Sequence, residues 1–360
     1  MIRRFGRRLL VGRRRGILIH SLLEIVLDLA SRILEFLDAL AGEFDFDPPR
    51  KPGLDVVKSI RSMRDGEAKV FVSLGGNFLS ATPDVKVVAE GLQLCRLTVQ
   101  VSTKLNRSHM VTGEQALILP CLGRSEKDRD QFVTVENSMG IVHASRGKLP
   151  PISSNVRSEP DIVAGLADAV LGQKSRVPWK EFIGNYQKVR TRIGKTVPGF
   201  KNFEERVLEP GGFYLPNPAK ERRFANEGKA PFSINPLEPI QLADDQLVLM
   251  TIRSHDQFNT TIYGMDDRYR GIRNERRVVF LNTEDMAERN LKAEQPVNLV
   301  SHWEGERREA CLFLVIPYDI PRRCAAAYFP ETNVLVPLNS TARISNTPTS
   351  KSIVITVEPI

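Results

Sequence analysis

The stretch VFVSLGGNF, residues 70–78, is an apolar run that stops at two glycines and an asparagine. Such a run is typical of a buried β-strand, and Gly75 marks its carboxyl end. The two glycines have two explanations. A tight turn needs their backbone freedom, whereas a phosphate or a nucleobase needs the close approach that a missing Cβ allows. The residues around the stretch are needed to choose between them.

Helix and strand patterns alternate on both sides of this strand. LDVVKSIRSMRDG (54–66) and PDVKVVAEGLQLCR (83–96) have apolar residues at helical spacing, and Pro83 suits the first turn of the second helix. LTVQVS (97–102) and QALILP (115–120) are two further strands. The alternation predicts a parallel sheet, and ligands bind beyond the carboxyl ends of the strands in such sheets.

The remainder of the chain has two other patterns. Residues 151–238 are rich in proline and glycine, with helical stretches such as WKEFIGNYQKVRTRIGKTV (179–197), which predicts a helical cover and a connector. From residue 239 onward the chain has six short apolar strands: QLVLMTIRS, RRVVFLN, PVNLVSHW, ACLFLVIPY, CAAAYFP and SIVITVEP. This spacing predicts a closed or nearly closed β-barrel. A short helix, TEDMAERN (283–290), interrupts the strands, with Thr283 as its predicted cap.

Charge and cysteine content exclude several classes of protein. The net charge is +8, but residues 1–15 hold seven arginines and no acid, so 8 − 7 leaves +1 for all that follows. A nearly neutral body gives no reason to expect a nucleic-acid partner. The four cysteines are scattered without a C-x-x-C pair. This pattern predicts mostly buried, reduced thiols in a cytoplasmic protein and no metal site.

The segment 1–33 combines the arginines with an apolar stretch. Glu24 and Asp28 interrupt that stretch too soon for a spanning helix or an export signal. Leu22, Leu23 and Val26 fall at helical spacing. An amphipathic helix is therefore expected, without a membrane partner.

The order of the motifs resembles one family. A strand ending in LGGN, a third strand ending in LILPC, a loop VENSMG and a barrel opening with MTIRSHDQFNTT are similar to the molybdopterin-dependent oxidoreductases of the dimethyl sulfoxide reductase type, in the formate-dehydrogenase-like branch. The resemblance runs from about residue 34 to the end. It implies an α/β fold with a Rossmann-like portion (34–150), the helical connector (151–238) and a double-psi-type β-barrel (239–360) that binds the molybdopterin dinucleotide.

The resemblance also implies which loops contact the cofactor, a metal held by two pyranopterin guanine dinucleotides (Mo-bis-MGD). In the Rossmann-like portion the implied contacts are Gly75, Gly76, Asn77, Ser102, Thr103, Lys104, Asn106, Glu136 and Asn137. In the barrel they are Arg253, Ser254, His255, Gln257, Asn259, Thr260, Glu331, Asn333, Ser350 and Lys351. Plain polar loops and turns are the alternative for each group. Six hydrogen-bonding side chains in one short loop (253–260) are costly to bury without partners, which favours a binding site there.

The resemblance is to the second half of such an enzyme. The family's first half carries the iron–sulfur (4Fe-4S) cysteines and the residue that binds molybdenum or tungsten, and this sequence has neither motif. We therefore expect this chain to supply cofactor-binding surface for formate-type two-electron chemistry, without catalytic or metal-ligating residues of its own. The partner would be the N-terminal half or another redox subunit. A non-catalytic subunit of a split enzyme and an inactive gene fragment both stay open.

Overall fold

The computed structural model describes residues 33–222, 239–259 and 263–360. These residues form two compact units, one with residues 33–52 and 122–222, the other with residues 53–121 and 239–360 apart from 260–262. The predicted amphipathic segment, except for Ile33, lies outside the described residues, as do residues 223–238 of the predicted connector. The domain bounds 34–150, 151–238 and 239–360 stay predictions.

The stretch around the two glycines forms the predicted parallel sheet. Its strands are β1 (Val70–Leu74), β2 (Leu97–Ser102) and β3 (Gln115–Pro120), in the order β1-β2-β3 with both pairs parallel. Two nine-residue helices, Val56–Arg64 and Val85–Gln93, share an apolar core with this sheet. The core consists mainly of Val57, Ile60, Met63, Leu79, Val88, Leu92 and Cys95, with Phe71 of β1 packed against it.

Local side chains set where these helices begin. Asp55 caps the first helix, because its side chain accepts a hydrogen bond from Lys58 N at 2.9 Å. The second helix begins at Val85 after the N-cap residue Asp84. The prediction that Pro83 lies in its first turn is therefore wrong, since Pro83 precedes the cap.

The unit that contains residues 122–222 has an antiparallel sheet and helices. Its strands are β4 (Val133–Glu136), β5 (Ile141–Ser145) and β6 (Phe213–Tyr214). Its helices include Glu159–Leu171, Trp179–Gly184, Tyr186–Thr196 and Phe203–Leu208. The single helix predicted for 179–197 is two helices, because Asn185 is extended (φ −153°) and its side chain caps the second helix through Gln187 N at 2.9 Å.

The C-terminal strands close into a six-stranded barrel. The strands are β7 (Leu247–Ile252), β8 (Val278–Leu281), β9 (Pro296–Trp303), β10 (Glu306–Pro317), β11 (Cys324–Tyr328) and β12 (Ile353–Pro359). The order around the barrel is β10-β8-β11-β7-β12-β9. The pairs β10·β8 and β11·β7 are parallel and the other four are antiparallel. All six predicted strands and the α/β fold class are confirmed.

The barrel's short helix has a different cap from the predicted one. The helix spans Thr283–Glu288, and Asn282 accepts a hydrogen bond from Glu284 N at 2.8 Å. Thr283 is its first helical residue, so the prediction of a Thr283 cap is wrong by one position. Asparagine fills this role as well as threonine does.

The parallel sheet and the barrel are joined by buried polar contacts within their shared unit. Asp84 Oδ2 lies 2.9 Å from Arg308 Nη2 on β10 and accepts a hydrogen bond from Leu338 N at 3.3 Å. The Asn333 side chain donates to Ser80 O at 2.7 Å. Burial opposes the charge of Arg308, but the bonds to Asp84 outweigh it and raise the pKa of Arg308. These contacts hold the segment after β1 against the barrel.

Two features bear on the predicted environment. Within the described ranges, every helix is too short or too polar to cross a membrane. None of the four cysteines forms a disulfide; Cys95 and Cys121 are buried, Cys324 is half-buried and Cys311 is exposed. The expectation of mostly buried thiols therefore holds for two of the four.

Candidate cofactor-binding site

A cavity of ≈ 920 Å³ lies where the loops after β1 and β2 face the barrel. Asn77 and Asn106 line it from the sheet side, and Arg276, Arg277 and Glu331 line it from the barrel side. All of these residues belong to one compact unit. The volume is at the upper end of the range for small-molecule and cofactor sites. The structure thus brings the ends of the predicted strands and the barrel loops to one hollow.

The glycine pair after β1 is required by the turn itself. Gly75 and Gly76 have φ of 68° and 75°, a left-handed conformation that favours glycine. Gly75 N donates to Val101 O at 2.8 Å, which extends the ladder to β2. Asn106 Nδ2 donates to Gly76 O at 2.8 Å and ties the two loops together. The turn explains both glycines; an additional phosphate contact of their amides stays a prediction.

Two buried polar residues line the cavity from the segment after β1. Asn77 is buried, and its Oδ1 accepts a hydrogen bond from Ser108 Oγ at 3.0 Å. Ser80 is also buried and lines the cavity, but its Oγ has no hydrogen-bond partner among the described residues. Ser80 lies in the four-residue helix Phe78–Ala81, and a lone serine there has no sequence pattern from which its position could be predicted.

The loop after β2 contributes one of its four predicted residues to the cavity. Asn106 lines it, whereas Ser102, Thr103 and Lys104 do not. The Ser102 hydroxyl donates to Lys104 O at 2.6 Å and shapes the loop. Asn106 Oδ1 accepts a hydrogen bond from Ser108 N at 2.9 Å.

Arg276 organises the barrel side of the site. It is almost fully buried, and its guanidinium donates to both oxygens of Glu331, at 2.7 and 3.1 Å. It also donates to Ser254 Oγ at 3.1 Å, to Gln257 Oε1 at 3.0 Å and to Phe329 O at 2.9 Å. Three residues predicted as cofactor contacts, Ser254, Gln257 and Glu331, are therefore gathered around one arginine. Because Glu331 is paired, it adds little net negative charge to the cavity.

His255 belongs to a second polar cluster on the same loop. Its Nδ1 lies 3.1 Å from Oδ1 of the buried Asp267, and since a carboxylate only accepts, Nδ1 carries the proton. Tyr328 and Arg270 donate to the other oxygen, at 2.9 and 2.6 Å. Burial alone would raise the pKa of Asp267, but these hydrogen bonds outweigh it and keep the pKa below its ordinary 3.8. The His255 ring also stacks on Tyr269 with centroids 4.3 Å apart.

Among the described barrel residues predicted as contacts, Glu331 alone lines the cavity, and Ser254, His255, Gln257 and the others do not. Arg253 Nη2 donates to Asn259 Oδ1 at 3.2 Å. The Lys351 ammonium donates to Thr251 O, and burial, followed by the charge of Arg253, lowers the pKa of Lys351 below its ordinary 10.5. Ser350 O accepts from Thr251 N at 3.1 Å. Asn333 is the buried residue that bonds Ser80 O, and Thr260 lies outside the described residues.

Glu136 and Asn137 fall in the other compact unit, at the β4–β5 hairpin. Asn137 Oδ1 accepts hydrogen bonds from Met139 N at 2.9 Å and Ile141 N at 3.1 Å, so it closes the turn. This contact uses the side-chain oxygen of Asn137. A role for either residue at the cofactor stays a prediction.

Two arginines give the cavity its available positive charge. Arg107 and Arg277 line it, and neither guanidinium forms an ion pair or hydrogen bond with any residue in the part of the chain that the structure describes. Of the lining carboxylates, Glu275 accepts from the backbone N of Arg276 at 2.7 Å, and Glu309 accepts from Asn298 Nδ2 at 2.7 Å. The two arginines are therefore placed to meet an anionic group. Among the described residues, no cluster of three or more His, Cys, Asp or Glu side chains could hold a metal ion.

Comparison with known proteins agrees with this geometry. Residues 247–354 match the family model of the molydopterin dinucleotide binding domain, a range that runs from the first residue of β7 into β12. The barrel is a molybdopterin dinucleotide-binding domain. The resemblance drawn from the motifs is confirmed there, and the anionic groups of a molybdopterin dinucleotide fit the two unpartnered arginines of the adjoining cavity.

The chain also resembles longer proteins. An "uncharacterized oxidoreductase" of Mycobacterium tuberculosis is 50% identical over 336 residues, which cover 90% of this chain and 43% of that protein. Protein YdeP of Escherichia coli (strain K12) is 41% identical, covering 90% of this chain and 44% of its own length. The chain thus spans less than half the length of these relatives.

A solved structure shares the fold around the dinucleotide-binding barrel. Acetylene hydratase from Pelobacter acetylenicus superposes with a TM-score of 0.51 at 14% identity, over 85% of this chain and 46% of that one. At this identity the likeness concerns the fold alone. It extends beyond the barrel, since residues 247–354 make up less than a third of this chain.

Proposed function

We propose that the cavity beside the dinucleotide-binding barrel binds the organic part of a molybdenum or tungsten bis-pyranopterin guanine dinucleotide, in a formate-dehydrogenase-like oxidoreductase. One observation carries this proposal: a ≈ 920 Å³ cavity joins a barrel of this family to strand-end loops. Parallel-sheet proteins bind nucleotides at such strand ends, where amides and small polar groups approach the ligand. When bound, the group supplies two-electron redox chemistry at its metal.

The residues of this chain would divide the binding between charge and hydrogen bonding. Arg107 and Arg277 would hold the pyrophosphate, because they are the cavity cations without partners among the described residues. Asn77 and Asn106 would bond the hydrogen-bonding edges of the pterin or the guanine. Arg276 would not contact phosphate, since its donors are already used by Glu331, Ser254, Gln257 and Phe329. It positions the loop instead.

The remaining parts of the enzyme would come from sequence that this chain does not contain. We place the metal ligand and the 4Fe-4S cluster there, since the described residues offer no metal-binding cluster. A small substrate such as formate, an N-terminal half or other redox subunit as partner, and a cytoplasmic location complete the proposal. The lack of any disulfide among the four cysteines supports a reducing compartment.

An alternative is a non-catalytic subunit of a split enzyme or an inactive gene fragment. The bound dinucleotide and turnover distinguish these alternatives. A subunit would retain the bound dinucleotide without turnover, whereas an inactive fragment would retain neither.

The test is retention of the dinucleotide. The 360-residue chain is purified from a host that makes the cofactor, and extracted nucleotides are identified and counted by mass spectrometry. We expect guanine dinucleotide in the wild type and at least tenfold less in Arg107→Gln and Arg277→Gln, because a hydrogen bond to a charged group contributes about 1.5–3 kcal/mol.

Arg96→Gln is the matched control, since Arg96 is exposed in the same unit and does not line the cavity. A wild-type protein free of dinucleotide would refute retained binding. Equal retention in all three variants would refute the assigned phosphate contacts.

A further inference from the structure

Ser108 connects the two loops that form the sheet side of the cavity. It is buried in the short helix Arg107–Met110, which follows β2. Its hydroxyl accepts a hydrogen bond from Leu79 N at 2.9 Å, in the segment after β1. Its carbonyl accepts one at 2.8 Å from Nε2 of Gln100, a buried residue of β2. Ser108 is therefore held on both sides by groups that can only donate.

The serine hydroxyl also fixes the orientation of the Asn77 side chain. Ser108 Oγ lies 3.0 Å from Asn77 Oδ1. Leu79 N is the donor in its own bond to this oxygen, so the hydroxyl hydrogen is left for Asn77. Turning the Asn77 amide round would bring Nδ2 to the hydroxyl and deprive a buried O–H of its acceptor, which is costly. Oδ1 is thus committed to Ser108, and Nδ2 is the group that Asn77 can offer in the cavity it lines.

The side chain of Asn106 is oriented in the same sense. Its Oδ1 accepts a hydrogen bond from Ser108 N at 2.9 Å, and its Nδ2 donates to Gly76 O at 2.8 Å. Because a backbone N–H can only donate and a carbonyl can only accept, this amide cannot be turned round. Its second N–H remains for a ligand. Together with the guanidinium of Arg107, the sheet side offers donors from three lining side chains.

The carboxylates of the lining lie on the barrel side. They are Glu275, Glu309 and Glu331. A carboxylate can accept about four hydrogen bonds, so each keeps acceptor capacity beyond its protein partners. A ring with a carbonyl beside N–H donors suits this division, with its carbonyl toward the sheet and its donors toward the barrel. Pterin and guanine share such an amino-oxo-pyrimidine ring.

We propose that Ser108 is a positioning residue that makes Asn77 a donor, so that the sheet side accepts a ring carbonyl and rejects a ring amino group in its place. Ser108 does not line the cavity and acts through Asn77. An amino group there would set one donor against another and leave both without an acceptor. Without the serine hydroxyl the amide can rotate, and the discrimination is lost. The inference rests on the proposed function, because it names the group of the pterin or guanine that Asn77 reads.

The test measures discrimination within two matched pairs of probes. The 360-residue chain is purified from a host that cannot make the cofactor and is titrated by calorimetry. One pair is guanosine diphosphate and 2-aminoadenosine diphosphate, and the other is pterin and 2,4-diaminopteridine. Within each pair an amino group replaces the ring carbonyl. We expect the wild type to prefer the carbonyl probe of at least one pair by roughly tenfold.

The variants separate the serine hydroxyl from general stability. Ser108→Ala should reduce the preference by about fivefold, and Ser108→Thr, which keeps a hydroxyl, should restore most of it. Asn77→Asp keeps the shape of the side chain but removes its donor, so it should abolish the preference and tests the same point if Ser108→Ala does not fold. Ser340→Ala is the matched control, since Ser340 is also buried, bonds the Thr349 hydroxyl and does not line the cavity. It should keep the wild-type preference.

The outcomes identify the ring and can overturn the proposal. A loss of preference confined to the nucleotide pair assigns the carbonyl to guanine, and one confined to the pteridine pair assigns it to the pterin. No preference in the wild type, an unchanged preference in Ser108→Ala and Asn77→Asp, or an equal loss in Ser340→Ala would each overturn the proposal. Retention of the dinucleotide is measured separately, on protein from a host that makes the cofactor. A wild type that retains it without discriminating the probes overturns this inference alone, and one that discriminates without retaining it overturns the proposed function alone.

Discussion

Replacing Arg276 by methionine should destabilise the barrel strongly. The arginine is 3% exposed and donates to both oxygens of Glu331, whose side chain is 16% exposed. Methionine keeps much of the volume but leaves a nearly buried carboxylate without its cation. Breaking one side of a buried ion pair costs about 3–5 kcal/mol. In a unit of this size we therefore expect the melting temperature to fall by about 6–20 °C.

The assay separates this barrel from the rest of the chain. Urea unfolding is followed by hydrogen-exchange mass spectrometry on peptides from β8 and β11, so that the unfolding of the other unit does not contribute to the measured signal. Arg307→Met is the matched control on β10. Its partner Glu358 lies 2.6 Å away, but both side chains are about half exposed, at 54% and 43%. An exposed pair of this kind contributes only about 0–1 kcal/mol.

A double variant tests the cause. Arg276→Met combined with Glu331→Gln removes the uncompensated charge, so it should recover at least about 1 kcal/mol relative to Arg276→Met alone. The reasoning is wrong if Arg276→Met costs no more than Arg307→Met. It is also wrong if the second substitution makes the protein still less stable, because stability would then not depend on the unpaired carboxylate.

Three further predictions concern the same unit and the connector helix. Asp267→Asn should destabilise the protein at neutral pH, and its difference in stability from the wild type should shrink on acidification below pH 3.8. A carboxylate whose pKa is lowered by folding contributes stability above its unfolded pKa, and this contribution is lost as the pH falls through the folded pKa. Urea unfolding midpoints measured across this pH range test the prediction. Asp84→Ala should cost about 1–3 kcal/mol, because the mostly buried Arg308 would keep only the exposed Glu306 as its partner; faster exchange in Val85–Gln93 measures this. Gly113→Ala should lower the melting temperature, because the added Cβ would lie 2.2 Å from Cys95 O. Gly165 lies in a helix with no atom within 4 Å of the position of a Cβ, so Gly165→Ala should be neutral or stabilising by up to about 1 kcal/mol.

Elements with a strong local pattern could be predicted from the sequence. The six barrel strands and the three strands of the parallel sheet could be predicted, because short apolar runs and the alternation of apolar with polar residues are typical of β-strands. Boundaries were less accurate. Asn185 divides a predicted helix, and Asn282 replaces Thr283 as a cap, since both depend on which of several polar side chains reaches a particular N–H.

The site could be predicted only in part. Asn77, Asn106 and Glu331 line the cavity as expected, whereas Lys351 turns its ammonium to a backbone carbonyl. Nothing in the sequence distinguished Arg276. It is one of five arginines between residues 268 and 277, and its partner Glu331 is 55 residues away.

By itself the sequence determined the positions of the strands, the order of the parallel sheet and the barrel along the chain, and the family of the barrel. These properties depend on the spacing of apolar residues along the chain and on the order of the motifs. Only the tertiary structure decided which arginine is buried and which two remain available in the cavity. Burial and pairing are properties of groups that are distant in sequence and close in space. Their energies therefore appear only once the chain has brought those groups together.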